Sequence, residues 1–149
     1  MHEAYMKEAL AEARTAAAAG EVPIGAVVVQ DGVIVGRGHN TTETDHDPTC
    51  HAEMNALRDA SRRLGRLRLT DCDLYVTCEP CAMCAGAIVL ARIARLYVGT
   101  PDPKAGACGS LRNVVCDERL NHRVELVTGV LQEECAAELK NFFKALRSK

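Results

Sequence analysis

The sequence predicts an α/β fold, a mixed sheet with helices on its faces. Three observations carry that expectation. Two β-branched runs, Val27-Val28-Val29 and Val33-Ile34-Val35, flank Asp31-Gly32. Asp-Gly between such runs is a strong hairpin signal, so the sheet opens with an antiparallel pair. Beyond residue 50, helical patterns alternate with short apolar runs, the rhythm of strands joined by helical crossovers. Finally, the 149 residues are 48% hydrophobic and 26% charged, with no repeat and no apolar stretch of membrane length. That composition suits one domain over residues 1–149 with a core of its own.

The elements follow in order. Residues 2–19 read as a helix, alanine-rich with Tyr5 and Leu10, and stopped by Gly20 and Pro23. The hairpin comes next, then a polar, turn-rich segment over 40–50. Pro48 disfavours the α region at Asp47, so a second helix starts only afterwards, over about 50–64. Its apolar stripe reads as Met54, Leu57, Ser61 and Leu64. Leu74-Tyr75-Val76-Thr77 is a strand, and Pro80 suits the first position of a third helix. That helix is apolar on every side from Ala85 to Ala91 and belongs in the core or in a subunit interface. Residues 93–98 form a strand, 99–110 a loop rich in Gly, Pro and Ala, 123–128 a fifth strand and 131–147 a final helix. On that last helix, about 100° per residue centres Phe142 in the Leu131/Cys135/Leu139/Leu146 stripe. Phe143 falls at the stripe's edge, beside Lys140, Lys144 and Arg147. Tyr75 and Tyr97 lie in strand runs and read as core.

A formal net charge of −2 argues against a general nucleic-acid binder. The charge is unevenly spread. Residues 1–50 hold three basic and eight acidic side chains, net −5, and residues 51–149 hold fifteen and twelve, net +3. Basic residues gather at Arg58, Arg62, Arg63, Arg66 and Arg68, and again at Lys140, Lys144, Arg147 and Lys149. The first twenty residues carry Glu3, Glu8 and Glu12 and no apolar signal core, so the expected location is the cytoplasm, with no membrane contact. Eight cysteines in such a chain point to metal or redox work rather than to disulfides. Cys50, Cys72, Cys108, Cys116 and Cys135 read as small buried apolar residues.

Two stretches carry the chemistry. His51-Ala52-Glu53 gives H-x-E, and after 26 residues (54–79) Pro80-Cys81-Ala82-Met83-Cys84 gives P-C-x-x-C. One imidazole and two thiolates make three zinc ligands and leave a fourth position for water. His51 and Glu53 are two apart and in mid-helix would face opposite ways, so a shared site must lie above the helix's first turn. Cys81 and Cys84 are i, i+3 at a helix start, where the dipole favours thiolates. Cys78 extends the run to C-x-x-C-x-x-C, part of an iron–sulfur pattern, but a fourth cysteine is missing and His51 and Glu53 would then be idle. With zinc, Glu53 would take a proton from water, hand it to a ring nitrogen and then protonate a departing amine. The net change replaces –NH2 by oxygen and releases ammonia.

H-x-E with P-C-x-x-C is the signature of the zinc-dependent nucleobase deaminases. By that resemblance the ligands are His51, Cys81 and Cys84, Glu53 is the proton shuttle, and Cys78 is a core residue at a strand end. The likeness runs further. Residues 21–27 (EVPIGAV), 46–53 (HDPTCHAE), 74–87, 102–107, 121–125 and 129–131 all resemble bacterial tRNA adenosine deaminases, which convert the wobble adenosine of an anticodon to inosine. The resemblance implies the three-layer α/β/α cytidine deaminase fold with a five-stranded mixed sheet. It also implies one Zn2+ per subunit, a homodimer, and the tRNA anticodon stem-loop as partner. It makes Asn40 a contact to the flipped base, Asp102 a contact to neighbouring nucleotides, and Asn121, His122 and Arg123 a segment near the RNA. Asn40 and Asp102 are also common turn formers. Phe143 and the basic face beside it are expected to touch the RNA. Two departures stand out: Cys50 where many members have Ala, and Pro101 where some have a basic residue. The competing expectation is a deaminase of a free base or nucleoside such as guanine or cytosine. A non-catalytic zinc RNA-binding subunit is more remote, because a structural site needs no Glu53.

Overall fold

The computed structural model describes residues 1–148, so Lys149 of the second basic cluster lies outside the described residues. Nine elements follow one another: α1 (His2–Ala18), β1 (Gly25–Gln30), β2 (Val33–His39), α2 (Ala52–Leu64), β3 (Cys72–Cys78), α3 (Ala82–Leu90), β4 (Arg95–Thr100), β5 (Glu125–Val127) and α4 (Gln132–Arg147). They form one five-stranded sheet in the order β2-β1-β3-β4-β5. β1 pairs antiparallel with β2 and β3, whereas β3–β4 and β4–β5 are parallel, so the sheet is mixed as expected. Asp31 and Gly32 turn the hairpin with φ of 49° and 77°, the two positive values of the tight turn that Asp-Gly favours. A bulge at Val28/Val29 resets the register in mid-hairpin.

Strand alternation sorts the apolar residues onto two faces. Ala26, Val28, Leu74, Val76, Leu96 and Val98 pack with α2 and α3, through Ala56, Leu57, Ala85 and Ile88. Val27, Val29, Tyr75 and Tyr97 pack with Met6, Ala9 and Leu10 of α1 and Cys135 of α4. Helices therefore cover both faces, which explains why Val27-Val28-Val29 is apolar without alternation. Tyr75 and Tyr97 are core residues, with parallel rings 4.3 Å apart.

Three expectations need correction. The buried stripe of α2 is Ala52, Glu53, Ala56, Leu57 and Ala60, while Met54, Ser61 and Leu64 are only partly covered. The reason lies in β2. A Cβ on Gly36 would run into Ala56 and Ala60, and one on Gly38 into the backbone of Ala52 and Ala56. Glycines on the strand and alanines on the helix bring the two backbones close, and hydrophobicity alone does not reveal a face built of small residues. Second, α3 begins at Ala82 with Cys81 as its N-cap, so Pro80 precedes the helix and Cys81 is the half-in residue. Third, Phe142 is only half-buried and Leu146 is 54% exposed, because only Cys135 at the head of α4 is fully buried. Among the described residues no helix is long and apolar enough to cross a membrane.

Candidate active site

The site forms where two helix starts meet the end of a strand. His51 is the N-cap of α2, held in extended conformation (φ −73°, ψ 158°) by the turn over 47–50. In that turn Asp47 accepts hydrogen bonds from the Thr49 N–H (2.8 Å) and hydroxyl (2.7 Å). Cys81, the N-cap of α3, follows directly on β3, so the strand end carries it to the same place. His51 Nδ1 lies 3.6 Å from Cys81 Sγ and 3.5 Å from Cys84 Sγ. The three donor atoms all fall within 4.8 Å of one another, the one such group among the described residues. Four-coordinate zinc with ordinary Zn–S and Zn–N bonds separates its sulfur and nitrogen ligands by about 3.6 Å. The donor set and its spacing therefore fit zinc.

The electrostatics follow from that convergence. Bonds from the Cys84 thiol and then from His51 push the Cys81 thiol down to about 3, and the bond to Cys81 raises His51. Cys84, bonded to the Cys81 thiolate and buried, moves up. Glu53, in the first turn of α2, is almost fully buried, and burial pushes its carboxyl up to about 7. A carboxyl poised near neutrality can both take and return a proton.

Above these groups opens a cavity of about 150 Å³ lined by Asn40, His51, Glu53, Cys78, Glu79, Cys81 and Asp102. It is smaller than the ~300 Å³ at which drug-sized pockets begin, and suits a single small ring system. A wider groove of about 400 Å³ adjoins it, sharing Ile24, Cys78 and Asp102 and adding Lys104, Leu139 and Phe143. Of the residues singled out from the sequence, His51, Glu53, Cys81, Asn40 and Asp102 line this cavity, Cys84 completes the three-donor group, and Phe143, 40% exposed, faces the adjoining groove. Asn40 and Asp102 are turn formers as well. Asn40 Oδ1 accepts from the Thr42 N–H at 3.2 Å, and Asp102 Oδ1 accepts from Lys104 and Ala105 at 3.0 and 3.3 Å. Cys78 is a buried strand-end residue outside the donor group.

Asn121, His122 and Arg123 do not reach the cavity of their own chain. They precede β5, whose Glu125 pairs with Arg95 at the start of β4, whereas the site lies by Thr100 at its end. Five residues at about 3.3 Å each put roughly 17 Å between those ends. His122 donates to the Ile93 carbonyl at 2.7 Å, and Arg123 lies 3.8 Å from Glu118. The first basic cluster is partly engaged: Arg58 reaches Asn55 and Thr49, Arg63 pairs with Asp59, and Arg66 pairs with Asp71.

Two buried carboxylates were missed. Glu21, 1% exposed, accepts from the N–H groups of Glu43 (3.2 Å) and Thr44 (2.6 Å) and from the Thr44 hydroxyl (2.7 Å), and so fixes the loop over 41–50. Burial pushes its carboxyl up, but these bonds outweigh burial and leave it below the ordinary value. Glu79, 6% exposed, does the same for residues 102–110. For Glu79 the one cue was its place between the apolar strand β3 and Pro80, where a buried carboxylate must be hydrogen-bonded; Glu21, after α1, carried no such cue.

The comparisons with known proteins agree with this geometry. The sequence profile of the MafB19-like deaminases matches residues 1–147. A "tRNA-specific adenosine deaminase" of Bacillus subtilis is 51% identical over 147 residues, covering 99% of this chain and 91% of that protein. A solved structure from a study of A-to-I editing by tRNA:A34 deaminases at the wobble position superposes with a TM-score of 0.87 at 46% identity, covering 91% of this chain and 98% of the other. A guanine deaminase from Nitrosomonas europaea shares the fold alone, with a TM-score of 0.83 at 24% identity, covering 94% and 83%. The chain belongs to the MafB19-like deaminase family, and tRNA-specific adenosine deaminases are among its near relatives.

Proposed function

We propose that the protein hydrolytically deaminates the wobble adenosine of tRNA to inosine, with one zinc ion per chain held by His51, Cys81 and Cys84. The observation that carries this reading is the coincidence of that three-donor group with the buried Glu53 on the wall of a base-sized cavity. The chain around it is 51% identical, along nearly its whole length, to a protein named for this activity. Zinc bound there supplies a Lewis acid that makes water nucleophilic at neutral pH. Glu53 would accept the first proton of the attacking water and deliver it to the ring nitrogen next to the reacting carbon, then take the second proton from the added oxygen and hand it to the departing amine, which leaves as ammonia. Asn40 addresses the base: its Oδ1 is engaged by Thr42, but its Nδ2 has only a long 3.4 Å contact to the Val22 carbonyl and can turn to an acceptor on the ring. Asp102 and Phe143 line the adjoining groove, where the nucleotides next to the target would run.

A homodimer suits the third helix. It is apolar throughout, yet Leu90 is 71% exposed and Met83 also reaches solvent in the single chain. Asn121, His122 and Arg123 belong to the RNA surface only if a second copy brings them to its neighbour's cavity. A tRNA substrate is in keeping with a cytoplasmic enzyme. Deamination of a free base is the second reading, favoured by the small volume of the cavity; the wider groove beside it favours a longer substrate.

Zinc-loaded protein, incubated with a tRNA anticodon arm carrying A34, should form inosine at that position and not act on free adenosine, guanine or cytosine. Glu53→Ala serves as the blank. Deamination of a free base with the RNA untouched would overturn the substrate while sparing the mechanism.

A further inference from the structure

The loop over 101–110 forms the wall of the cavity that faces His51 and Glu53, through Asp102 and Ala105. Almost nothing apolar anchors its first half: Pro101, Pro103, Lys104 and Ala105 are exposed and Asp102 is half-exposed. Its second half reaches the core through Ala107 and Cys108, and the Ala107 N–H donates to the Pro80 carbonyl at 2.8 Å; one side chain ties its two ends together. Glu79 leaves β3 directly after Cys78, and its own N–H donates to the Thr100 carbonyl at 2.9 Å. Its Oε1 accepts from the Asp102 N–H at 3.0 Å, and its Oε2 accepts from the N–H groups of Cys108 at 2.9 Å and Ser110 at 3.0 Å. The Ser110 hydroxyl donates to Oε1 as well. Both ends of the loop thus close on one carboxylate. Gly106 completes the cradle, because a Cβ there would strike the carboxyl group of Glu79. Glu79 also separates two spaces, lining the reactive cavity on one side and a pocket of about 230 Å³ beside Cys108 and Gln132 on the other.

We infer that Glu79 is a positioning residue of the reaction, fixing the 102–110 loop so that Asp102 and the cavity wall meet the substrate in a set geometry. This deepens the tRNA reading and rests on it for the identity of the substrate. Every donor aimed at Glu79 is an N–H or O–H, so the group needed is an acceptor of full charge on both oxygens. Glutamine has the same shape but turns an amide NH2 toward N–H groups. Glu79→Gln should therefore be as damaging as Glu79→Ala, whereas a side chain that merely fills space would tolerate it. Glu79→Asp keeps the charge on a shorter arm and should recover part of the loss.

The test reads three quantities on the intact zinc-loaded protein: zinc per chain, amide hydrogen exchange at Asp102, Cys108 and Ser110, and kcat and KM on an A34 anticodon arm. For Glu79→Gln we expect zinc retained, exchange faster at all three amides, and KM raised on the order of tenfold to a hundredfold, with a smaller change in kcat. Should Glu79→Gln not fold, Ser110→Ala removes only the hydroxyl donor and carries the same test, with faster exchange at Cys108 and a several-fold rise in KM. Wild-type kinetics in the variant that folds would overturn the inference. So would kinetic loss matched by zinc loss, since the defect would then lie in the metal site. If the wild-type protein left the RNA unmodified, the substrate reading would fail, while the exchange pattern would still decide whether Glu79 braces the loop.

Discussion

The metal-binding half of the site and the substrate-facing half are held by opposite means. His51 and Cys81 sit at helix starts, placed by backbone: α2 lies tight against the glycines of β2, and α3 continues straight from the buried strand β3. The loops over 41–50 and 101–110 reach the core at Cys50, Ala107 and Cys108, and a buried carboxylate, Glu21 or Glu79, ties the exposed part of each to the body. Close-packed backbone resists displacement by fractions of an ångström, which a metal with fixed bond lengths requires. A loop held by hydrogen bonds to one carboxylate is set in place but can open locally at modest cost, as a surface that admits a macromolecule must. Rigid chemistry and adaptable recognition thus come from different forces in adjacent parts of one cavity.

The largest effects should separate chemistry from metal binding within the rigid half. Glu53→Ala should lower kcat on the anticodon arm by about 10²- to 10⁴-fold with zinc retained, whereas His51→Ala should lose zinc and activity together; inosine formation and zinc content read the two outcomes. Next comes the packing beneath. Gly38→Ala places a methyl against the backbone of Ala52 and Ala56 and should cost about 1–3 kcal/mol of stability, read from denaturant unfolding, with zinc affinity reduced because His51 rides on the same helix. If Gly38→Ala proved neutral, the close strand–helix contact would not be what fixes His51.

The loop half should show itself in acid. The Glu21 carboxyl lies below its ordinary value of 4.5 in the folded protein, so the stability it contributes is fully present above that value and is lost as pH falls through the lower folded value. Acid-unfolding curves of wild type and Glu21→Gln should therefore converge at low pH and separate above about pH 5. A constant gap down to low pH would mean that charge on Glu21 is not what holds the loop. The smallest expected effect concerns the last helix. Phe143→Ala should weaken RNA binding with little change in stability, and Phe142→Ala, at a half-buried position, should cost less than the ~3–5 kcal/mol of a core phenylalanine.

The same division governs what could be read from the sequence. The hairpin at Asp31-Gly32, the order of strands and helices and the convergence of His51, Cys81 and Cys84 all announce themselves, because turn geometry and metal chemistry restrict residue type at fixed spacing. The buried face of α2 did not, since alanine facing glycine carries almost no hydrophobic signal. Phe142 was misplaced because periodicity shows which residues share a face, but not where the helix runs off the sheet. Glu21 and Glu79 escaped for a physical reason too. Their partners are backbone N–H groups from 22 to 31 residues away, and a backbone donor leaves no mark on the sequence that supplies it.

One measurement tests the division directly: zinc stoichiometry by native mass spectrometry of Glu21→Gln, with kcat and KM on the A34 anticodon arm. The account predicts one zinc per chain, as in wild type, together with a raised KM. Loss of zinc in step with activity would contradict it, showing that the loops and the metal site stand or fall together.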